Sequence, residues 1–175
     1  RIPTDKQLFD IQYAYNPDAA PQITIEQWIP AFYLPVITAG TGFNARTELL
    51  DTIFLQAATD NVLNTLKSQQ KDAWYYRFDW DEEPAPFNDI YGAAHAFDLP
   101  FLFGSFGPSL FSNIANSTAN RPGRVALSQA MMSSLGTFAR RGDPNLPKVL
   151  GTPWPAWPSK LIFDATPTDT AITLQ

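Results

Sequence analysis

The chain has 175 residues, of which 45% are hydrophobic, 14% aromatic and 17% charged, and its formal net charge is −5. This composition excludes an intrinsically disordered chain, and the acidic balance without Lys/Arg runs argues against a nucleic-acid partner. The sequence has no cysteine and no stretch of roughly 20 apolar residues, which excludes disulfides, thiolate chemistry and a transmembrane helix. No linker marks a second domain, so we expect residues 1–175 to belong to one domain.

The first 30 residues predict two short helices. Residues 5–9 have a helical pattern, and a turn is expected at residues 16–18, where a proline follows an asparagine. Thr24 and Gln27 have the spacing of a capping box, which satisfies amide groups at the start of a helix. Pro30 should end or kink that helix.

The longest helical pattern begins after Asn44 and continues to about Lys71. Apolar residues recur in it at intervals of three and four, which predicts a helix with one broad apolar face in the core. We expect a break near Asp60. The stripe consists of Leu49, Leu50, Ile53, Phe54, Ala57, Ala58, Val62, Leu63 and Leu66.

Residues 73–80 are the clearest predicted strand because aromatic residues dominate there, with Trp74, Tyr76, Phe78 and Trp80 on one face. The acidic residues 81–83 after it should lie in a solvated loop.

The second half of the chain predicts a long helix and a further strand. The helix opens at residues 121–123 and should end at Arg141, because Gly142 suits the position after a helix and Asp143-Pro144 prevents continuation. Residues 161–163 read as a short strand, giving two convincing strands in all.

His95 is the only histidine, so any imidazole chemistry belongs to it. A histidine that acts as general base needs a proton donor on one side and a carboxylate on the other. For Asp98, three residues away, we expect a structural contact with an arginine or a backbone amide. The residue pattern alone leaves the distant acids open: Asp5, Asp10, Glu26, Glu48, Asp51 and Asp60. It also contains no Gly-x-Ser-x-Gly nucleophile elbow.

Three blocks of sequence together resemble one known family. The block from Gly92-Ala93-Ala94-His95 to Leu99-Pro100-Phe101-Leu102-Phe103-Gly104 resembles the catalytic-histidine motif of the type-B carboxylesterase/lipase family. Trp74-Tyr75-Tyr76-Arg77-Phe78 resembles the aromatic strand ahead of that histidine. Phe138-Ala139-Arg140-Arg141-Gly142-Asp143-Pro144-Asn145, followed by Trp154-Pro155, resembles the C-terminal signature of the family.

This resemblance implies an α/β fold, namely the C-terminal part of an α/β-hydrolase with the last strands of a mostly parallel sheet. It implies a serine-dependent carboxylic ester hydrolase in which His95 is the general base. The segment Thr4-Asp5-Lys6-Gln7-Leu8-Phe9 is the nearest match to the family's acid segment and places Asp5 at the acid position. It departs from the family pattern, since Asp replaces the usual Glu and the flanking Asn, Asp and Gly are absent.

The resemblance also implies a partner segment and a class of substrate. The serine nucleophile and the oxyanion hole would lie on an N-terminal chain or segment of the same enzyme, and we expect this chain to be incomplete without it. The substrate would be a small-molecule ester, with no cofactor and no metal. Phe97 and Phe101 are candidate substrate contacts, with core packing as the alternative.

Two other functions and the location stay open. Some family relatives have lost the serine and serve as cholinesterase-like binding or adhesion domains, and an independent noncatalytic domain would need a complete sheet within these residues. Many relatives are secreted, and Asn116-Ser117-Thr118 is a glycosylation sequon. We therefore expect an extracellular or periplasmic location.

Overall fold

The computed structural model describes residues 4–29, 34, 42–109 and 111–175. Helices account for most of the regular structure in these residues, and one π-helical segment, Asp51–Gln56, joins two of them. The helices are α1 Asp5–Ala14, α2 Ile25–Trp28, α3 Gly42–Leu50, α4 Ala57–Gln69, α5 Phe87–Ile90, α6 Leu99–Phe103, α7 Ser112–Ala115, α8 Arg121–Arg141 and α9 Pro147–Leu150.

A three-stranded mixed sheet lies at the centre, with strands β1 Tyr75–Phe78, β2 Lys160–Phe163 and β3 Thr173–Leu174 in that spatial order. β1 pairs in parallel with β2. A parallel pair requires a long crossover, which here contains α5 to α9. β3 adds to β2 antiparallel and was not predicted from the sequence. The described residues therefore form an α/β unit in which β1 has one edge without a paired strand.

The main hydrophobic core lies between the sheet and the pair of helices α6 and α8, which pack against each other. Aromatic side chains from the sheet and from α6 meet there: Phe101 lies 5.0 Å, between ring centroids, from both Phe78 and Trp80. Leu127 and Met131 of α8 are fully buried on the other side. This packing fixes α6, and with it the loop that precedes α6, onto the sheet.

Helix α8 confirms its predicted ends. It begins at Arg121, with Pro122 in the first turn, where a missing backbone N–H costs nothing. It ends at Arg141, and Gly142 adopts a left-handed conformation with φ of +71°.

The predicted long helix is confirmed, but two expectations about it are wrong. Its irregularity is the π-helical segment Asp51–Gln56 and not a break near Asp60. Most of its apolar stripe is exposed, because no element within the described residues covers that face: Leu49, Leu50, Ile53, Phe54 and Val62 are each more than half exposed. α4 contacts the remainder of the molecule through Leu63, which is buried against Ala73 and Trp157.

The N-terminal predictions are confirmed within the described residues. α1 starts with a capping box, in which Thr4 and Gln7 exchange hydrogen bonds. The backbone N–H of Thr24 donates to Oε1 of Gln27 at 2.8 Å, and α2 ends at Trp28. Pro30 lies outside the described residues. No helix in the described ranges is long and apolar enough to cross a bilayer.

Candidate active site around His95

His95 lies in a tight turn between α5 and α6, on the connection that leaves the end of β1. Two backbone hydrogen bonds close the turn: the N–H of Ala94 donates to the carbonyl of Gly92 at 2.7 Å, and the N–H of Phe97 donates to Ala94 at 3.0 Å. The imidazole is exposed and has no hydrogen bond to any described residue. It is therefore free to engage a proton donor and a substrate from outside this part of the chain.

The residue after the histidine has a left-handed backbone. Ala96 has a φ of +68°, and it is the one residue other than glycine with positive φ among those the structure describes. This conformation costs a residue with a Cβ atom roughly 1–2 kcal/mol. The turn must therefore be held in place by the residues that follow.

Phe97 is the first of these residues. It is 8% exposed, and its ring centroid lies 5.9 Å from Tyr91 and 5.2 Å from Phe111. Tyr91 stacks in turn on Phe87, so the ring joins an aromatic cluster beneath the turn. The structure thus gives Phe97 the packing role that the sequence left as an alternative, and its contact with a substrate stays a prediction.

Asp98 is the third residue after the histidine, and its partner differs from the expected one. The hydroxyl of Tyr76, in the middle of β1, donates to Oδ2 of Asp98 at 2.7 Å. The expectation of an arginine or a backbone amide as partner was wrong, because the fold places a phenol from the sheet beneath this turn. Burial, together with the bond to Asp98, raises the pKa of Tyr76. The hydroxyl therefore stays protonated and remains a donor.

Phe101 lies in α6, immediately beyond the turn. It is 2% exposed, and its carbonyl accepts a hydrogen bond of 2.8 Å from the hydroxyl of Ser128 in α8. Its ring belongs to the main core. Phe101 therefore anchors α6. Its contact with a substrate stays a prediction.

Asp5, the predicted acid, is the first residue of α1 and is exposed. Among the described residues no hydrogen bond joins it to His95, so the two stay a predicted pair. Two of the other acids are engaged elsewhere, since Asp10 pairs with Lys6 and Asp60 with Lys160. Glu48 and Asp51 line a polar cavity of about 450 Å³ that reaches the His95 loop at Tyr91 and Gly92.

Glu83 is a buried acid whose burial was not predicted from the sequence. The acidic run was expected to be solvated, but Glu83 is 4% exposed, and neither of its carboxyl oxygens has a hydrogen-bond partner among the residues that the structure describes. Burial raises its pKa to about 9, and the nearby charges of Asp81 and Glu82 add to the shift. The carboxyl is therefore neutral at pH 7. Glu83 lies three residues after the buried Trp80, with the exposed Asp81 between them, so the local sequence carried no signal of its burial.

A second cavity, of about 300 Å³, is apolar and opens beside Tyr76. It lies between α4, β1, α6 and α8, and its lining includes Leu66, Trp74, Leu102, Met131 and Phe138. As for metals, no group of three or more potential ligand side chains occurs within the described ranges.

The chain matches the model of a known protein family. The model of the carboxylesterase family, described as "Carboxylesterase family", matches residues 29–168, which is well over half of the chain and includes His95. No curated protein matches the chain.

Solved structures of esterases also match. An esterase from the anaerobe Clostridium hathewayi, described as able to hydrolyse aliphatic aromatic polyesters, is 21% identical with a TM-score of 0.52, over 70% of this chain and 22% of that one. A carboxylesterase of Geobacillus stearothermophilus is 28% identical with a TM-score of 0.42. A PNB esterase is 29% identical with a TM-score of 0.42. Each of these two matches covers 59% of this chain and 20% of the other. The chain thus spans about a fifth of the length of these esterases. Its similarity to the Clostridium hathewayi esterase shows a shared fold.

Proposed function

The chain belongs to the carboxylesterase family, and we propose that it supplies the histidine of a serine-dependent carboxylic ester hydrolase. One observation carries the proposal. The single histidine, inside the residues that match the family, is exposed on a turn whose end is anchored, since Phe97 is buried and Asp98 accepts a hydrogen bond from Tyr76. An exposed imidazole on a turn with a fixed backbone can meet a proton donor in a defined orientation, which suits proton transfer.

The proposed reaction runs through an acyl-enzyme. A serine hydroxyl on an upstream segment attacks the ester carbonyl while His95 takes its proton, and backbone amides stabilise the oxyanion that forms. His95 then gives the proton to the departing alcohol, which leaves an acyl-serine. In the second half His95 takes a proton from water as the water attacks, and returns it to the serine as the acid leaves. Asp5 is the proposed partner that orients the imidazole.

The proposed place of this chain is the C-terminal part of an α/β-hydrolase domain, with an N-terminal segment of the same enzyme as its partner. Two features support that partner. β1 pairs in parallel with β2 and has one unpaired edge within the described residues, which presents free backbone N–H and C=O groups to a further strand. The apolar cavity beside Tyr76 and the uncovered face of the long helix adjoin each other at Leu66. An extracellular or periplasmic location stays a prediction from the sequence.

The pH dependence of ester hydrolysis by the full-length protein tests the proposal. The reaction needs a neutral imidazole as base, so kcat/KM for a para-nitrophenyl ester should fall at acidic pH, where histidine side chains are protonated. A profile that stays flat down to about pH 4 would contradict a histidine base. Absence of any turnover, with no serine nucleophile upstream, would favour the binding or adhesion domain instead.

A further inference from the structure

Within the described residues, one hydrogen bond between side chains joins the turn that carries His95 to the sheet. In this bond the Tyr76 hydroxyl donates to Oδ2 of Asp98 at 2.7 Å, and the two residues lie 22 positions apart in the chain. The bond is partly buried, and a phenol donating to a carboxylate makes a charge-assisted bond that is stronger than a neutral one.

The donor side of this bond is rigid. Tyr76 lies inside β1 opposite Leu161 of β2, and its ring makes edge contacts with Phe163 at 5.6 Å and Trp154 at 6.4 Å between centroids. Phe163 and Trp154 are themselves buried. The hydroxyl is therefore fixed relative to the core of the molecule.

The acceptor side is the part that needs support. His95 and Ala96 are exposed, and Ala96 holds an unfavourable φ of +68°. Asp98 follows two residues later, and its backbone carbonyl accepts the N–H of Leu102 at 2.9 Å at the start of α6. A carboxylate held there fixes the end of the turn and therefore the direction of the chain at His95.

We propose that Tyr76 and Asp98 form a positioning pair that sets the orientation of His95 for proton transfer. This inference rests on the proposed function. The pair acts through the backbone of the turn: Tyr76 supplies a fixed donor, Asp98 transmits that position to the turn, and neither touches the substrate. Because a displacement of about 1 Å at a reacting group can cost a hundredfold in rate, loss of the bond should act on kcat.

The test compares variants of the full-length enzyme with a para-nitrophenyl ester. Tyr76→Phe removes only the hydroxyl, and we expect kcat to fall about tenfold with KM changed less than twofold. Tyr75→Phe is the matched control: it makes the same chemical change at the neighbouring position of β1, where the ring packs on Trp157 and lies under Lys160. It should leave kcat within twofold of the original enzyme.

Asp98 variants separate positioning from general stability. Asp98→Ala should lose as much kcat as Tyr76→Phe, and the double variant should lose no more than either one, because one bond is removed in each case. Asp98→Asn keeps an oxygen that can accept the phenol, so it should recover most of the loss. Additive losses, or equal kcat in Tyr76→Phe and Tyr75→Phe, would overturn the proposal.

Hydrogen–deuterium exchange supplies a readout that is independent of catalysis. Amides of residues 92–98 should exchange faster in Tyr76→Phe than in Tyr75→Phe, while amides of α8 stay unchanged. If the enzyme hydrolyses no ester, the proposed function fails, and this comparison still decides whether the pair holds the turn. Equal exchange in the two variants would overturn the positioning role.

Discussion

The backbone N–H of Gly123 donates to the carbonyl of Pro167 at 2.9 Å, which ties the first turn of α8 to the chain between β2 and β3. The approach is so close that a Cβ atom on Gly123 would lie 1.8 Å from the carbonyl oxygen of Thr166. The Thr166 oxygen belongs to the backbone, so it cannot move away without shifting the chain around it. The start of α8 and the C-terminal part of the sheet are thereby locked together.

Gly123→Ala should therefore destabilise the fold by about 3 kcal/mol, at the upper end of what overpacking costs. Urea unfolding measures this change. Gly136→Ala is the control in the same helix, because a Cβ there would meet only the flexible side chain of Arg140. That variant should be neutral or up to about 1 kcal/mol more stable. Equal stability of the two variants would contradict the close approach at Thr166.

The buried Glu83 predicts a stability that falls with rising pH. Burial raises its pKa from 4.5 to about 9, so between these values the folded chain keeps a proton that the unfolded chain releases. The contribution is fully present below about pH 4.5 and is lost as pH rises to about 9, at up to about 1.4 kcal/mol per unit. Asp81 and Asp164, whose pKa values burial also raises, act in the same direction.

Glu83→Gln should remove most of this slope, because the amide is neutral at every pH and has nearly the same shape. The measurement is the free energy of unfolding in urea from pH 5 to pH 9. The exposed Glu48→Gln should keep the slope of the original chain. A Glu83→Gln variant that loses stability with pH as steeply as the Glu48→Gln control would show that Glu83 is not buried as a neutral acid.

The two acids of α1 allow a matched test of the predicted triad acid. Asp5→Asn should lower kcat by roughly 10³- to 10⁴-fold, since the imidazole would lose the carboxylate that orients it and stabilises its charge. Asp10→Asn lies in the same helix, is exposed and loses only an ion pair with Lys6, so its kcat should change less than twofold. Similar kcat for the two variants would remove Asp5 from the site.

The uncovered apolar face predicts the behaviour of the chain when it is expressed alone. Ile53 and Phe54 are 53% and 65% exposed in the long helix, and patches of this kind drive association. The 175-residue chain by itself should therefore associate in size-exclusion chromatography. Phe54→Asp should reduce that association, whereas Thr65→Asp, which adds the same charge at a polar position, should not. A monomer of 19.5 kDa would contradict the need for a partner segment.

Local signals in the sequence were sufficient for the ends of several elements. Pro122 and Gly142 act within one turn of their own helix, so the limits of α8 could be predicted, and the same holds for Thr24 and Gln27 at α2. The aromatic alternation around Tyr76 likewise identified β1. β3 has only two residues and exposed side chains, which leaves no periodic pattern to detect.

Features that depend on distant partners could not be predicted. The apolar stripe at Ile53 is helical as expected, but burial requires a covering element, and no described residue supplies one. The partner of Asp98 comes from a strand 22 residues earlier, and the burial of Glu83 depends on how the chain leaves that strand. The sequence identified His95 as the residue to examine, whereas its surroundings became visible only in three dimensions.

Replacement of His95 in the full-length protein shows whether this residue is the base of an ester hydrolase. His95→Gln keeps a polar side chain but cannot accept the serine proton. Turnover of a para-nitrophenyl ester should fall at least about 10³-fold, while the thermal unfolding temperature stays unchanged because the side chain is exposed. A His95→Gln variant that folds normally and retains more than about a tenth of the original kcat would contradict the assignment.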